Sequence, residues 1–374
     1  MKNVFEVAQT LINHIRSRFQ DDVALVAYYG SYAQGTATAR SDLDFFFIPA
    51  TPDGFRASIP FICNGISFDF WPISWERAER MASFEEPNTS IIADCKLLYV
   101  RSDADLARFE QLRERIADTG KQGLALIEKA ENHLRDAYVH LYNMSLLADD
   151  HARSLTCYRT EGHGVLTHVL YSLALLNGTY FTKGWGKNGE QIALFKLRPR
   201  KLDERMNALM HTSVGEVILE ACRQLVHDTV GLLTERKELY MNGPDYPGRM
   251  KGFYEEIKGV FDKLLTACEN NDYTTAFFWS AGVQDEIARF LYFAEKGYWP
   301  ASIIPAADYQ NIYVHAGFPD LPELLAADRL AELREAVTLL DNRLLSLIKA
   351  QSVPIAEFDD LEQLKLYLEN RDSV

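Results

Sequence analysis

The chain reads as an α+β protein, with a small mixed sheet and helices over residues 1–118 and an all-helical region after it. Two observations carry this expectation. The first hundred residues hold short apolar, β-prone runs, the clearest being DDVALVAYYG, SDLDFFFIP, GISFDFWPIS and CKLLYVRS. Beyond about residue 120 such runs vanish, and apolar residues recur at helical spacing.

Residues 3–19 put Val4, Val7, Leu11, Ile12 and Ile15 on one side of a helix. The run that follows reads as a buried strand ending at Gly30. Ser31 to Arg40 is small and polar, a loop or a loop opening a short helix. A second strand, SDLDFFFIP, is stopped by Pro49. A third, GISFDFWPIS, carries Asp69 inside an aromatic run, and CKLLYVRS is a fourth. Residues 103–117 form a charged helix. Further helices are expected near 121–148, 152–177, 189–210, 214–240, 249–270, 273–296 and 321–350. Their breakers are Asn177-Gly178, the GWGKNG stretch, Asn242-Gly243-Pro244 and the segment from Gly297 to Pro305. A stop at MNGPDYPG splits the helical part, giving domains 1–118, 119–243 and 244–374.

The 374 residues suffice for two or three hydrophobic cores. The formal net charge is -14, and the first 118 residues hold 17 acidic and 12 basic side chains. Neither part offers the basic surface that nucleic acid requires, which argues against polymerisation or tail addition. An acidic protein suits a cationic small substrate, and it equally suits plain solubility. The five cysteines are widely spaced without a CxxC pair, against a disulfide framework or structural zinc. No apolar run is long enough to span a bilayer, and the N-terminal helix carries charges throughout, unlike a signal peptide. The expected setting is cytoplasmic and reducing, with no membrane partner.

Chemistry concentrates in Tyr29-Gly30-Ser31 and, ten residues on, Ser41-Asp42-Leu43-Asp44. Alternation along a strand points Asp42 and Asp44 the same way and Leu43 oppositely. Two carboxylates on one face repel unless a cation sits between them, and a hard divalent ion with oxygen ligands answers that need. If the Asp69 strand is a neighbour, three carboxylates converge, an arrangement able to hold two Mg2+ ions for in-line phosphoryl displacement. Gly30 lets backbone approach a phosphate, and the Ser31 hydroxyl adds a donor. Acids for metal beside a Gly-Ser turn for phosphate make a nucleotide site.

Over residues 23–70 this pattern resembles the DNA polymerase β-type nucleotidyltransferases, most closely the antibiotic-modifying, kanamycin-type group. The resemblance implies a polymerase-β-like domain with ATP or another NTP held by Gly30, Ser31, Asp42 and Asp44. It makes Asp42, Asp44 and Asp69 metal ligands, with Asp69 alternatively the base for the acceptor. Arg40 sits where the family has a variable turn residue. LALLNGTYFTKGWGKNGEQIALFKL resembles the helix, break and helix of kanamycin-type C-terminal domains. In that group a Glu on the domain's first helix is the general base and a Lys one turn later contacts phosphate. Here Glu131 with Arg135 matches that spacing, with Glu161 a rival, while Lys183 and Lys187 either reach a phosphate or are solvated. The resemblance also allows a homodimer.

Other features read as structural. His163 and His168 stand at i, i+5 and do not share a face, while His133 and His140 lie two turns apart and could line a cleft. Tyr273, Phe277, Phe278, Trp279, Phe290, Tyr292 and Phe293 suit packing between two helices. Nothing near Ser31 suggests a covalent nucleophile. The expected function is Mg-dependent transfer of a nucleoside monophosphate, AMP from ATP, to a hydroxyl of a small molecule such as an aminoglycoside. The alternatives are a protein or other metabolite acceptor, or a catalytically silent nucleotide sensor.

Overall fold

The computed structural model describes residues 4–38, 41–119, 123–147, 155–184 and 186–371; Arg40 lies outside them. The chain divides into two compact units, Met1–Lys237 and Glu238–Val374.

The first unit opens with α1 (Val4–Arg18), β1 (Val23–Tyr29), the one-turn α2 (Gly30–Ala33) and β2 (Asp44–Pro49). After a 3-10 turn come β3 (Ile59–Cys63), β4 (Ile66–Pro72), α3 (Trp75–Ala82), α4 (Thr89–Ala93), β5 (Lys96–Val100) and α5 (Asp103–Thr119). The five strands form one mixed sheet in the order β3-β4-β2-β1-β5, in which only the β2–β4 pair is parallel. β2 is central and buried on both faces: Phe45, Phe46, Phe47 and Ile48 have no exposed surface. Phe45 and Phe47 join Val4, Ala8 and Ile15 of α1 and Phe68 and Phe70 of β4 in one cluster. The Phe47 and Phe70 rings lie 4.6 Å apart. Each such ring contributes roughly 1.5–3 kcal/mol on burial, so the start of β2 is firmly anchored.

β3 is an addition to the four expected strands. It is an edge strand with Ile59 and Ile62 exposed, so it lacks the apolar alternation that reveals a half-buried strand. Its partner β4 follows through Asn64-Gly65, both at positive φ, the two-residue hairpin that such a dipeptide favours.

The unit continues with α6 (Leu124–Leu147), α7 (Leu155–Leu176), α8 (Gly189–Ala193), α9 (Leu202–His211) and α10 (Gly215–Glu238). The single helix expected over 189–210 is broken into α8 and α9, with Pro199, which lacks an N–H and clashes with a preceding turn, in the gap. α6 and α7 pack together, and α6 also reaches the α3–α4 segment. There Lys129 donates to the Ser83 carbonyl at 2.5 Å, and His133 Nε2 lies 3.3 Å from the Phe84 carbonyl oxygen.

The second unit holds α11 (Tyr246–Arg249), α12 (Phe253–Glu269), α13 (Tyr273–Lys296), α14 (Ala306–His315), α15 (Leu330–Ala350) and α16 (Leu361–Arg371). α12 packs on α13 and α15, and Phe253 stacks on Phe290 at 4.1 Å. The expected interhelical aromatic cluster is therefore only partly such: Phe277, Phe278 and Trp279 are exposed. Among the described residues no helix is long and apolar enough to cross a membrane.

Candidate active site

β1 carries Tyr29 and Gly30 to the end of the sheet where β2 begins, with Asp44 as the register partner of Tyr29. Gly30 starts α2 at φ +72°, a conformation that favours glycine. A Cβ added at Gly30 would overlap the Asp44 carboxylate, so this glycine also makes room for the acid. Leu43, fully buried, separates the half-buried Asp42 and Asp44. Parallel pairing aligns Phe45 with Phe70, which makes Asp44 and Asp69 neighbours one residue earlier, on the face opposite those two rings. Asp69 is exposed.

The charges of these acids act on one another and on Tyr29. Burial, then the charge of Asp42, pushes the Asp44 carboxyl up to about 6. The Tyr29 hydroxyl is pushed up to about 12, first by burial and then by Asp44, with smaller contributions from Asp69 and Asp42. Neither Asp42 nor Asp44 makes an ion pair among the described residues. Oxygen donors that repel one another in a half-buried place fit a hard divalent cation. No group of three His, Cys, Asp or Glu side chains is arranged to hold an ion among the described residues. Asp42 and Asp44 would offer such a cation carboxylate oxygens, the rest of its shell coming from water and phosphate oxygens.

A cleft of about 500 Å3 opens beside this corner, lined by Gly30, Ser31 and Asp44 on the sheet side. Its far wall is the segment after α7, and the sequence there explains why it turns back. Asn177-Gly178 ends α7 in a Schellman cap: Gly178 N–H donates to Leu175 O at 2.8 Å and Thr179 N–H to Ala174 O at 2.9 Å, with Gly178 at φ +68°. Asn177 adds side-chain bonds to Leu173 and Leu197. Beyond the cap, Gln191 donates to the Tyr180 carbonyl at 2.7 Å and accepts from Thr182 N–H at 3.3 Å. Gln34 of the Gly-Ser turn donates to the Thr182 carbonyl, tying the two walls together. Lys183 and Lys187 line the cleft from this segment.

Three buried side-chain atoms have no hydrogen-bond partner among the described residues and belong to cleft-lining residues: Thr36 Oγ1, Asp94 Oδ2 and Asn188 Oδ1. Leaving such atoms unpaired is costly, and a bound ligand is one way to satisfy them. None of the three was a candidate in the sequence. Asp94 lies between a short apolar run and Cys95, and no spacing distinguishes it from a surface acid.

Of the candidates, Gly30, Ser31 and Asp44 line one cleft, with Asp42 and Asp69 beside Asp44. Glu131 is not brought there. It is 8% exposed, and its Oε2 accepts from Lys237 Nζ at 2.6 Å. The cause is helical geometry: His133 lines the cleft, and a residue two positions away points to another side of α6. The rival Glu161 is also engaged, 2.7 Å from His140 Nδ1. Burial lowers His133 below the usual histidine range, so its ring presents a neutral face to the cleft.

The sheet and its acid-bearing end belong to a nucleotidyltransferase, as the family matches show. Residues 9–70 match the family described as nucleotidyltransferase domain, and residues 106–238 match the KNTase C-terminal domain, that of kanamycin nucleotidyltransferase. The chain thus carries a nucleotidyltransferase domain followed by a kanamycin-type C-terminal domain. Enzymes of this family use a nucleoside triphosphate and a divalent metal ion. No curated protein matches the chain. A crystal structure of a nucleotidyltransferase-like protein from Exiguobacterium sibiricum is similar over 62% of this chain and 76% of its own, at 11% identity and a TM-score of 0.38.

Proposed function

We propose that this enzyme transfers AMP from Mg-ATP to a hydroxyl of a small molecule, with aminoglycoside-type antibiotics the first acceptors to test. The observation that carries the reading is one cleft with the Gly30-Ser31 turn and Asp44 on one wall and two lysines on the other. Gly30 and Ser31 would hold the triphosphate by close backbone approach and a hydroxyl donor. Asp42, Asp44 and Asp69 would supply carboxylate oxygens to Mg2+, one or two to an ion, and the metal would supply charge neutralisation at the reacting phosphate. Lys183 and Lys187 would take up charge on the departing pyrophosphate. The acceptor hydroxyl attacks the α-phosphorus in line as its proton leaves to a carboxylate.

The test is pyrophosphate release from Mg-ATP across a panel of antibiotics and metabolites. Asp42→Asn is expected to abolish release with little change in melting temperature; full activity in that variant refutes the assignment. Radiolabel from ATP entering protein in a cell extract would move the acceptor to a side chain. ATP binding without turnover on any acceptor would make the chain a sensor.

A further inference from the structure

We infer that Asp94 is the group that takes the acceptor's proton, held for that task by Tyr180 and left with one carboxylate oxygen free for the substrate. The inference rests on the nucleotidyl-transfer reading above and identifies the base that Glu131, locked to Lys237, does not supply.

Asp94 ends α4 and lines the same cleft as Ser31 and Asp44. Its two oxygens have different surroundings. Oδ1 accepts from the Tyr180 hydroxyl at 3.2 Å. Oδ2 is buried with no hydrogen-bond partner among the described residues. A carboxylate oriented through one oxygen and unpaired through the other has the arrangement of a general base, in which an orienting partner fixes the group that receives the proton. Tyr180 follows directly on the Schellman cap of α7, and its carbonyl accepts from Gln191 Nε2 at 2.7 Å, which holds its backbone in place. Burial raises the Asp94 carboxyl above its ordinary range, while Tyr180, Arg113 of α5 and Lys96 of β5 hold it down. A base in that condition is stronger than a surface aspartate.

The step balances as follows. The acceptor O–H proton passes to Asp94 Oδ2. The hydroxyl oxygen forms a bond to the α-phosphorus as the bond from that phosphorus to the bridging oxygen breaks. Pyrophosphate leaves with the bonding electron pair.

The experiment measures pyrophosphate release from Mg-ATP by the full chain, with kanamycin and with no added acceptor, where water replaces the hydroxyl. ATP binding is followed separately by calorimetry. Asp94→Asn is expected to bind ATP as the parent does and to lose about 100- to 10,000-fold in kcat, with its acid limb gone. Tyr180→Phe removes a bond that favours the charged carboxylate, so the acid limb of kcat should move to higher pH. That second variant keeps Asp94 and tests the idea even if Asp94→Asn fails to fold. Asp94→Asn within two-fold of the parent kcat overturns the inference, as does an unmoved limb in Tyr180→Phe. A change confined to the KM for kanamycin would make Asp94 a binding residue and overturn it as well. Where kanamycin is inactive, the most active acceptor of the panel above replaces it; if the parent binds ATP but releases no pyrophosphate with any of them, the transfer reading fails and this one falls with it. Loss in Asp94→Asn alone, with the parent active, separates the two.

Discussion

Asp44 begins a strand whose next four residues are fully buried, and it shares that end of the sheet with Asp42. The fold therefore holds a carboxylate where its charge is unwelcome. Because burial and Asp42 raise its folded pKa to about 6, Asp44 favours folding fully only below its ordinary pKa, and that contribution is lost as the pH rises through about 6. Asp44→Asn should accordingly raise the melting temperature of the metal-free chain, more at pH 7.5 than at pH 4.5. A divalent cation should stabilise the parent and leave the variant unmoved, which differential scanning fluorimetry reads directly. No gain in the variant at pH 7.5 would mean that Asp44 is not under this strain. The Gly-Ser turn and Asp-x-Asp were legible because their chemistry depends on short-range spacing. Asp94 was not, because its role depends on Tyr180, which lies 86 positions away along the chain.

At the scale of elements, α6 presents different residues to different neighbours. His133 and Lys129, a turn apart, serve the side that meets Phe84 and Ser83, while Glu131 is buried against Lys237 of α10. Removing one partner of a buried pair leaves the other charge poorly compensated, at a cost of about 3–5 kcal/mol. Glu131→Gln should therefore lower the melting temperature markedly yet leave kcat within a few-fold at a temperature where the variant stays folded. A large kcat loss without destabilisation would return Glu131 to the chemistry. Long amphipathic helices such as α12 and α13 were readable from periodicity. β3 was not: its side chains are largely exposed and Pro60 sits within it, and only Asn64-Gly65 signalled the hairpin. The break between α8 and α9 likewise turned on one proline set in a good helical pattern.

For the whole molecule, every residue that lines the cleft falls within Met1–Lys237, as does the Glu131–Lys237 pair. A chain truncated after Met241 should thus retain ATP affinity within about three-fold of the full chain by calorimetry. Loss of binding in a truncated chain that still unfolds cooperatively would assign Glu238–Val374 a part in the nucleotide site. The split into a sheet-bearing part and helical parts was visible in the shift from β-prone runs to helical spacing near residue 120. The compact unit nevertheless extends across that shift, because α6 and the segment after α7 close onto the sheet through long-range contacts that local patterning does not encode.

The carboxamide bridge from Gln34 to Thr182 bears on the order of events. It fastens the turn that would grip the leaving phosphates to the strap that carries Tyr180, the orienting partner of Asp94. A ligand that shifts one end of this bridge would also bear on the other, and by linkage any such effect would be reciprocal. Donor and acceptor would then each alter the other's affinity across a gap that neither of them spans alone.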